Sequence, residues 1–253
     1  MKKYLIFLLL IIGSIFLLAD TKADEVARRH FNLKQSNDQS SIRIMVLINR
    51  NNEKKVRKIE SFSRKGKNGQ DTFMRFVEPA QVLNTTFLSF GYDDGDDEQR
   101  IFLPGLGKIR KISASNKDQK FMGSDLFYYD MEDFSFNDFT YKYVKEDEYH
   151  GIPCDVIEMY PKDRNAPYSK QVCWISKIDS FSYKVECYDK KRLDLKTKTI
   201  VSLSVKAFKG ILIPEQMVID NHKENHKTLL QDSNIQVNIG LSPEIFTIQN
   251  MEK

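Results

Sequence analysis

The sequence lacks the residue patterns that mark most well-known enzyme classes. It has four histidines and one tryptophan among 253 residues. It contains no G-x-S-x-G elbow, no H-E-x-x-H pair, no phosphate-binding glycine loop and no C-x-x-C motif. We therefore predict no catalytic residues, no metal ligands and no cofactor, and we expect a non-enzymatic protein.

The nearest approach to a metal site is the pair His222 and His226. Their four-residue spacing would place both imidazoles on one face of a helix, an arrangement that zinc sites use. The pair lies in a polar connection between two strand-like segments, however, so a hairpin loop is the favoured interpretation. His30 falls on the apolar side of a predicted helix, where a packed histidine is commoner than a ligand.

Long basic blocks are also missing. Lysine and arginine outnumber aspartate and glutamate by 39 to 35, and the charges are interspersed. This pattern argues against a nucleic-acid partner.

Long hydrophobic runs are confined to the N-terminus. Lys2 and Lys3 precede an apolar run over residues 4–18, and small residues follow at Ala19 and Ala23. This is the pattern of a secretory signal peptide, and the run is shorter than the ~20 residues of a spanning helix. We expect residues 1–19 to be removed, with cleavage after Ala23 or an uncleaved anchor as alternatives, and we expect residues 24–253 to form one periplasmic domain.

Three cysteines would remain after processing, namely Cys154, Cys173 and Cys187. In an oxidising compartment three thiols permit one disulfide and one leftover thiol. Small buried side chains in a sheet are the alternative and favoured interpretation.

Period-two alternation dominates the rest of the chain. Residues 41–49 place Ile44 and Val46 on one face and Met45 and Leu47 on the other. Similar segments separated by tight turns follow, so we expect about ten to twelve strands, most of them paired with their sequence neighbours. So many antiparallel strands curl, which predicts an incomplete or closed barrel with helical pieces at its mouth.

Two segments break this alternation. Residues 21–35 carry apolar side chains, including Phe31, at the spacing of an amphipathic helix. Residues 121–136 are rich in large apolar side chains, among them Phe121, Leu126 and Phe127, and follow a meander that starts at Thr72. Because these side chains need a surface to cover, we interpret this second segment as a flap.

Several motifs together resemble a known family. They are Arg75-Phe76 before a proline, the hairpin from Gln99 to Ile112 with its Leu103-Pro104 and Gly107-Lys108, and Gly123-Ser124-Asp125 with a Tyr and an Asp downstream. The segments Cys173 to Lys177 and Tyr183 to Asp189 add a weaker match. This combination resembles the outer-membrane lipoprotein-sorting proteins, which are similar to the periplasmic carriers LolA and LolB.

The resemblance implies a mainly β fold, an unclosed antiparallel β-barrel of about eleven strands with a helical lid. It also implies a hydrophobic cavity for lipid or lipoprotein acyl chains, and partners in an inner-membrane transporter and an outer-membrane acceptor, with the carrier a monomer. A periplasmic sensor or adaptor that binds an envelope regulator or a transporter component is the alternative. The predicted cavity residues are Ile44, Val46, Met74, Phe76, Leu88, Phe90, Ile101, Leu103 and Trp174, and the predicted lid residues are Phe31, Phe121, Leu126 and Phe127.

Overall fold

A computed structural model describes residues 21–92, 95–191, 193–200 and 204–253, so the predicted signal peptide lies outside the described residues. The described part contains one α-helix (α1, residues 21–31) and fifteen strands. The strands are β1 Asp38–Ile48, β2 Lys54–Lys65, β3 Gln70–Glu78, β4 Thr86–Phe90, β5 Glu98–Leu103, β6 Lys108–Lys111, β7 Phe139–Tyr149, β8 Ile152–Pro161, β9 Tyr168–Ser176, β10 Ser182–Asp189, β11 Asp194–Ile200, β12 Val205–Phe208, β13 Ile211–Pro214, β14 Gln216–Asn221 and β15 His226–Val237.

Thirteen of the described strands form one antiparallel sheet, in the order β6-β5-β4-β3-β2-β1-β15-β14-β11-β10-β9-β8-β7. Most neighbours follow one another in sequence, as the short turns predict. The pairing of β1 with β15 joins the half of the sheet formed by β1–β6 to the half formed by β7–β11, β14 and β15. Strands β6 and β7 are the two edge strands. The sheet is therefore an open barrel, as predicted, with more strands than expected. A separate hairpin pairs β12 with β13.

The helix α1 packs on the second half of the sheet. Ala23, Val26 and Ala27 are buried against Ile157 of β8 and Ile175 of β9. Arg29 donates to the Asp155 carboxylate at 2.9 Å, which fixes the polar edge of the helix. The helix ends at residue 31, four residues earlier than the apolar spacing indicates. No described helix is long and apolar enough to span a membrane.

The predicted flap is part of a longer segment, residues 112–138 between β6 and β7, which we call the flap from here on; it lies on the same face of the sheet as α1. It contains short 3-10 turns at Ala114–Asn116, Phe121–Gly123, Tyr128–Met131 and Phe136–Asp138 rather than a continuous helix. We call the face that α1 and the flap cover the inner face, and the opposite one the outer face.

The C-terminal segment covers part of the outer face. Two 3-10 turns, Pro243–Phe246 and Ile248–Glu252, bury Phe246 and Met251 against Phe73 and Leu88. The Thr86 hydroxyl donates to the backbone carbonyl of Met251 at 2.9 Å. This segment therefore does not contribute to a lid on the inner face.

Candidate ligand cavity and flap

A cavity of about 580 Å³ opens on the inner face between α1, the flap, the hairpin β12–β13 and strands β1–β3. One wall comes from α1 and the loop after it, the flap and the hairpin, and it combines apolar side chains with His30, Lys34, Asp130 and Glu132. The opposite wall consists of inward-facing side chains of β1, β2 and β3, several of them polar. The apolar lining residues are Phe31, Leu33, Met74, Met131, Phe134, Phe181, Ile211, Leu212 and Ile213.

The flap fills the adjacent part of the barrel interior with aromatic side chains. Phe121 is completely buried, and its ring lies 5.2 Å from that of Phe87 and 5.7 Å from that of Tyr128. Leu126 joins the same cluster, which also includes Phe76 of β3. The flap is thus an apolar body seated on an apolar surface, so lifting it would expose the interior of the barrel.

A buried hydrogen-bond network holds one end of the flap to β14 and β15. The Asp125 carboxylate, which is fully buried, accepts from the Thr228 hydroxyl at 2.7 Å and from the Asn221 amide at 3.0 Å. His226 Nδ1 lies 2.6 Å from the same carboxylate. The Asp125 backbone N–H donates to Thr228 Oγ1 at 3.0 Å. These bonds connect segments about a hundred residues apart in the chain.

A second buried network centres on Asp130. Lys196 Nζ lies 2.7 Å and Lys198 Nζ 3.1 Å from its carboxylate, and the Tyr168 hydroxyl donates at 2.8 Å. Burial alone would raise the pKa of Asp130, but the two lysines outweigh it and hold the pKa well below its usual value. Lys196 also donates to the Asp125 backbone carbonyl at 2.6 Å, so the two networks are joined.

Two carboxyl groups near the end of the flap have raised pKa values. Burial raises the pKa of Glu132 to about 7, against the opposing charge of Lys117, whose Nζ lies 2.7 Å away. Burial likewise raises the pKa of Asp97 to about 6. Asp97 accepts from the Asp133 backbone N–H at 2.9 Å, which ties the flap to the turn before β5.

Two known structures are similar over nearly the whole chain. A domain from Vibrio parahaemolyticus described as an outer membrane lipoprotein-sorting protein is 29% identical, with a TM-score of 0.87, and the match covers 92% of this chain and 100% of that one. A DUF1329 family protein from Desulfovibrio piger is 27% identical, with a TM-score of 0.87, covering 92% of this chain and 99% of that one.

A family model described only as "uncharacterized protein" matches residues 68–253. The chain belongs to the family of this model, and the resemblance to outer-membrane lipoprotein-sorting proteins is confirmed. A LolA superfamily protein from Nitrosomonas europaea, 16% identical with a TM-score of 0.71, shares the fold; the match covers 90% of this chain and 98% of that one. No curated protein matches the sequence.

The structure divides the predicted cavity residues of this LolA-like chain between the two faces. Met74, Phe76, Ile101 and Leu103 belong to the inner apolar cluster, and only Met74 of these lines the described cavity. The face assignment is corrected for the others, which lie on the outer face: Ile44, Val46, Leu88, Phe90 and Trp174. Leu88 and Phe90 lie under the C-terminal segment, and Trp174 packs with Cys154 and Val156.

The prediction chose the wrong face of β1 as the inward one, and the reason is specific to this strand. Ile44 and Val46 are its more hydrophobic set, and yet Arg43, Met45 and Leu47 face inward. The Arg43 guanidinium forms two hydrogen bonds, 2.7 and 2.8 Å long, with Asp232 on the neighbouring strand β15. Because a paired charge can occupy an inward position, alternation alone does not identify the inner face.

The predicted lid residues lie on the covering elements. Phe31 of α1 lines the cavity, while Phe121 and Leu126 are buried beneath the flap. Phe127 instead packs on Tyr168, with Lys196 Nζ 4.0 Å from its ring centre.

Asp125 and Asp130, which hold the flap in place, belong to the family motif, but no role was predicted for them from the sequence. His222 and His226 flank a hairpin turn, as expected, and contact different carboxylates, those of Asp194 and Asp125.

Proposed function

We propose that this protein is a periplasmic, non-enzymatic carrier that binds lipid or lipoprotein acyl chains and moves them between the inner and outer membranes. The cavity of about 580 Å³ on the inner face carries the proposal. Its volume falls within the range of roughly 300–1,000 Å³ that is usual for small-molecule sites. The sequence identity to a domain described as a lipoprotein-sorting protein supports the same function.

The flap is the proposed gate. Burying an acyl chain stabilises the complex by roughly 0.8 kcal/mol per methylene, so a chain of about sixteen carbons gains on the order of 10 kcal/mol. Release then requires a protein element that competes for the same surface. The flap has the necessary properties, because Phe121 and Tyr128 occupy the barrel interior while hydrogen bonds at Asp125 and Asp130 hold it in one position.

Export through a cleaved signal peptide completes the proposal, and cleavage after Ala19 fits the fold better than cleavage after Ala23. Ala23 is fully buried in the contact of α1 with the sheet. Lys22 donates to Glu146 at 3.0 Å. Cleavage after Ala23 would remove both contacts, so we expect the intact mass of the secreted protein to correspond to residues 20–253. Its proposed partners are an inner-membrane transporter and an outer-membrane acceptor, and it acts as a monomer.

The decisive experiment is to purify residues 20–253 from the periplasm without detergent and to analyse an organic extract by mass spectrometry. We expect about one lipid or one acylated protein per chain, and binding of a fluorescent fatty acid after delipidation. Protein that carries no lipid and takes up no fluorescent fatty acid would contradict the proposal.

A matched pair of variants links uptake to the cavity. Met131 lies on the flap and lines the cavity, so Met131→Asp places a charge against the acyl chain and should abolish uptake. Ile178 is 75% exposed and does not line the cavity, so Ile178→Asp should leave uptake unchanged. Equal uptake by both variants would place the acyl chain elsewhere.

A further inference from the structure

The strand wall of the cavity carries a polar strip, which we define as Gln39, Ser61, Ser63, Gln70 and Thr72. The register of the sheet places these side chains side by side, since Gln39 lies opposite Ser63 and Ser63 lies opposite Thr72. With neighbouring strands about 4.8 Å apart, the row spans about 10 Å across β1, β2 and β3. These are inward positions of the barrel, where a purely hydrocarbon ligand would favour apolar residues.

The strip passes directly into the apolar interior. Ser61 lies opposite Met74, and the next inward positions along the same strands are Ile59 and Phe76, both fully buried. With the flap lifted, a ligand on this wall would therefore meet hydrogen-bonding groups at one end and apolar side chains at the other.

The strip offers hydrogen bonds rather than net charge. Within the described part of the chain its five side chains form no hydrogen bonds to protein groups, so their donors and acceptors are open to a ligand. The charged groups around the cavity are largely paired: Arg43 with Asp232, Asp130 with Lys196, and Glu132 with Lys117. The remaining charged lining residue is Lys34, three residues beyond the end of α1.

We propose that the cavity binds the uncharged polar junction of an amphiphile, a glyceryl group with its ester or hydroxyl oxygens, against the polar strip while the acyl chain points toward Ile59 and Phe76 beneath the flap. This inference rests on the proposed carrier function and specifies its ligand. An acyl chain alone would displace water from the strip without replacing its hydrogen bonds, which weakens binding. A glyceryl group replaces them. Lysophospholipids contain this junction with a free hydroxyl, and phospholipids and the diacylglyceryl-cysteine of lipoproteins contain it with the ester oxygens only.

Competition between two ligands tests the inference. The delipidated protein is loaded with a fluorescent fatty acid and titrated with 1-oleoylglycerol or with methyl oleate; both have the same acyl chain and an ester, but only 1-oleoylglycerol carries the glyceryl group with its two free hydroxyls. We expect 1-oleoylglycerol to bind about tenfold more tightly. The variant Ser61→Ala/Ser63→Ala/Thr72→Val should lose this preference while still binding methyl oleate, and the outer-face variant Ser40→Ala/Ser233→Ala should keep it.

The outcomes separate the inference from the function on which it rests. If the fluorescent fatty acid does not bind, the carrier function and the inference both fail. If it binds but the wild type shows no preference, or the strip variant keeps the preference, only the inference fails. Further titrations with a lysophospholipid and with a diacylglyceryl-cysteine peptide identify the source: tighter binding of either one, lost in the strip variant, supports the inference.

Discussion

Replacing Asp130 with Asn should destabilise the flap more than any comparable change on the protein surface. Asp130 is 2% exposed, Lys196 is fully buried, and their charged atoms lie 2.7 Å apart. The variant leaves Lys196 and Lys198 without their carboxylate in the interior. Loss of one partner from a buried ion pair costs roughly 3–5 kcal/mol of unfolding free energy, and the second lysine places this variant in the upper part of that range.

Urea denaturation at pH 7 measures the loss, and Asp220→Asn is the matched control. Asp220 and Lys227 form an ion pair of similar length, 2.8 Å, with side chains 42% and 44% exposed. An exposed pair contributes at most about 1 kcal/mol, so the control should change little. The double variant Asp130→Asn/Lys196→Met should regain part of the loss, because it removes one of the unpaired cations.

The pH dependence provides an independent check. Since the pKa of Asp130 lies below its unfolded value of about 3.9, the carboxylate stabilises the fold above that pH. The stabilisation declines as the pH falls through the folded pKa. Wild-type protein should therefore lose more stability than Asp130→Asn between pH 7 and pH 3. A loss below about 1 kcal/mol at pH 7, or an unchanged acid dependence, would refute the assignment of Asp130 as a flap anchor.

Three further predictions concern the flap and the sheet. Phe121→Ala removes a fully buried ring and should cost roughly 3–5 kcal/mol in urea denaturation, with faster hydrogen exchange in the flap; exchange equal to that of the wild type would contradict the packing. Burial raises the pKa of Glu132 to about 7, so the protonated carboxyl stabilises the fold fully below its unfolded pKa, and this stabilisation is lost as the pH rises to about 7. Glu132→Gln should therefore flatten the fall in unfolding free energy between pH 5 and pH 8. An unchanged slope would contradict this prediction. The three cysteines are free and buried, and burial raises the pKa of Cys173 to about 12; none should react with iodoacetamide in the native protein and all three should react after unfolding, whereas a mass change on reduction would reveal a disulfide.

Local pattern was sufficient to predict the β architecture. The alternating segments and tight turns predicted an antiparallel meander because neighbouring strands can pair through a short connection. The aromatic composition of residues 121–136 predicted a covering element, and the structure places such an element on the inner face. The position of β1 beside β15 was not predictable in the same way, since no turn connects them.

What the sequence determined by itself was the class of fold, its nearly sequential strand order and the presence of a flap, because these depend on periodicity and on loop length. Tertiary structure alone decided which face of each strand points inward. Arg43 faces the interior because Asp232 lies on the adjacent strand, and Ile44 faces outward as a result. Tertiary structure also brought Asp125 to Thr228 and Asp130 to Lys196, and aligned the polar strip. Each of these depends on partners distant in sequence, whose charges and hydrogen bonds outweigh the hydrophobicity of a single strand.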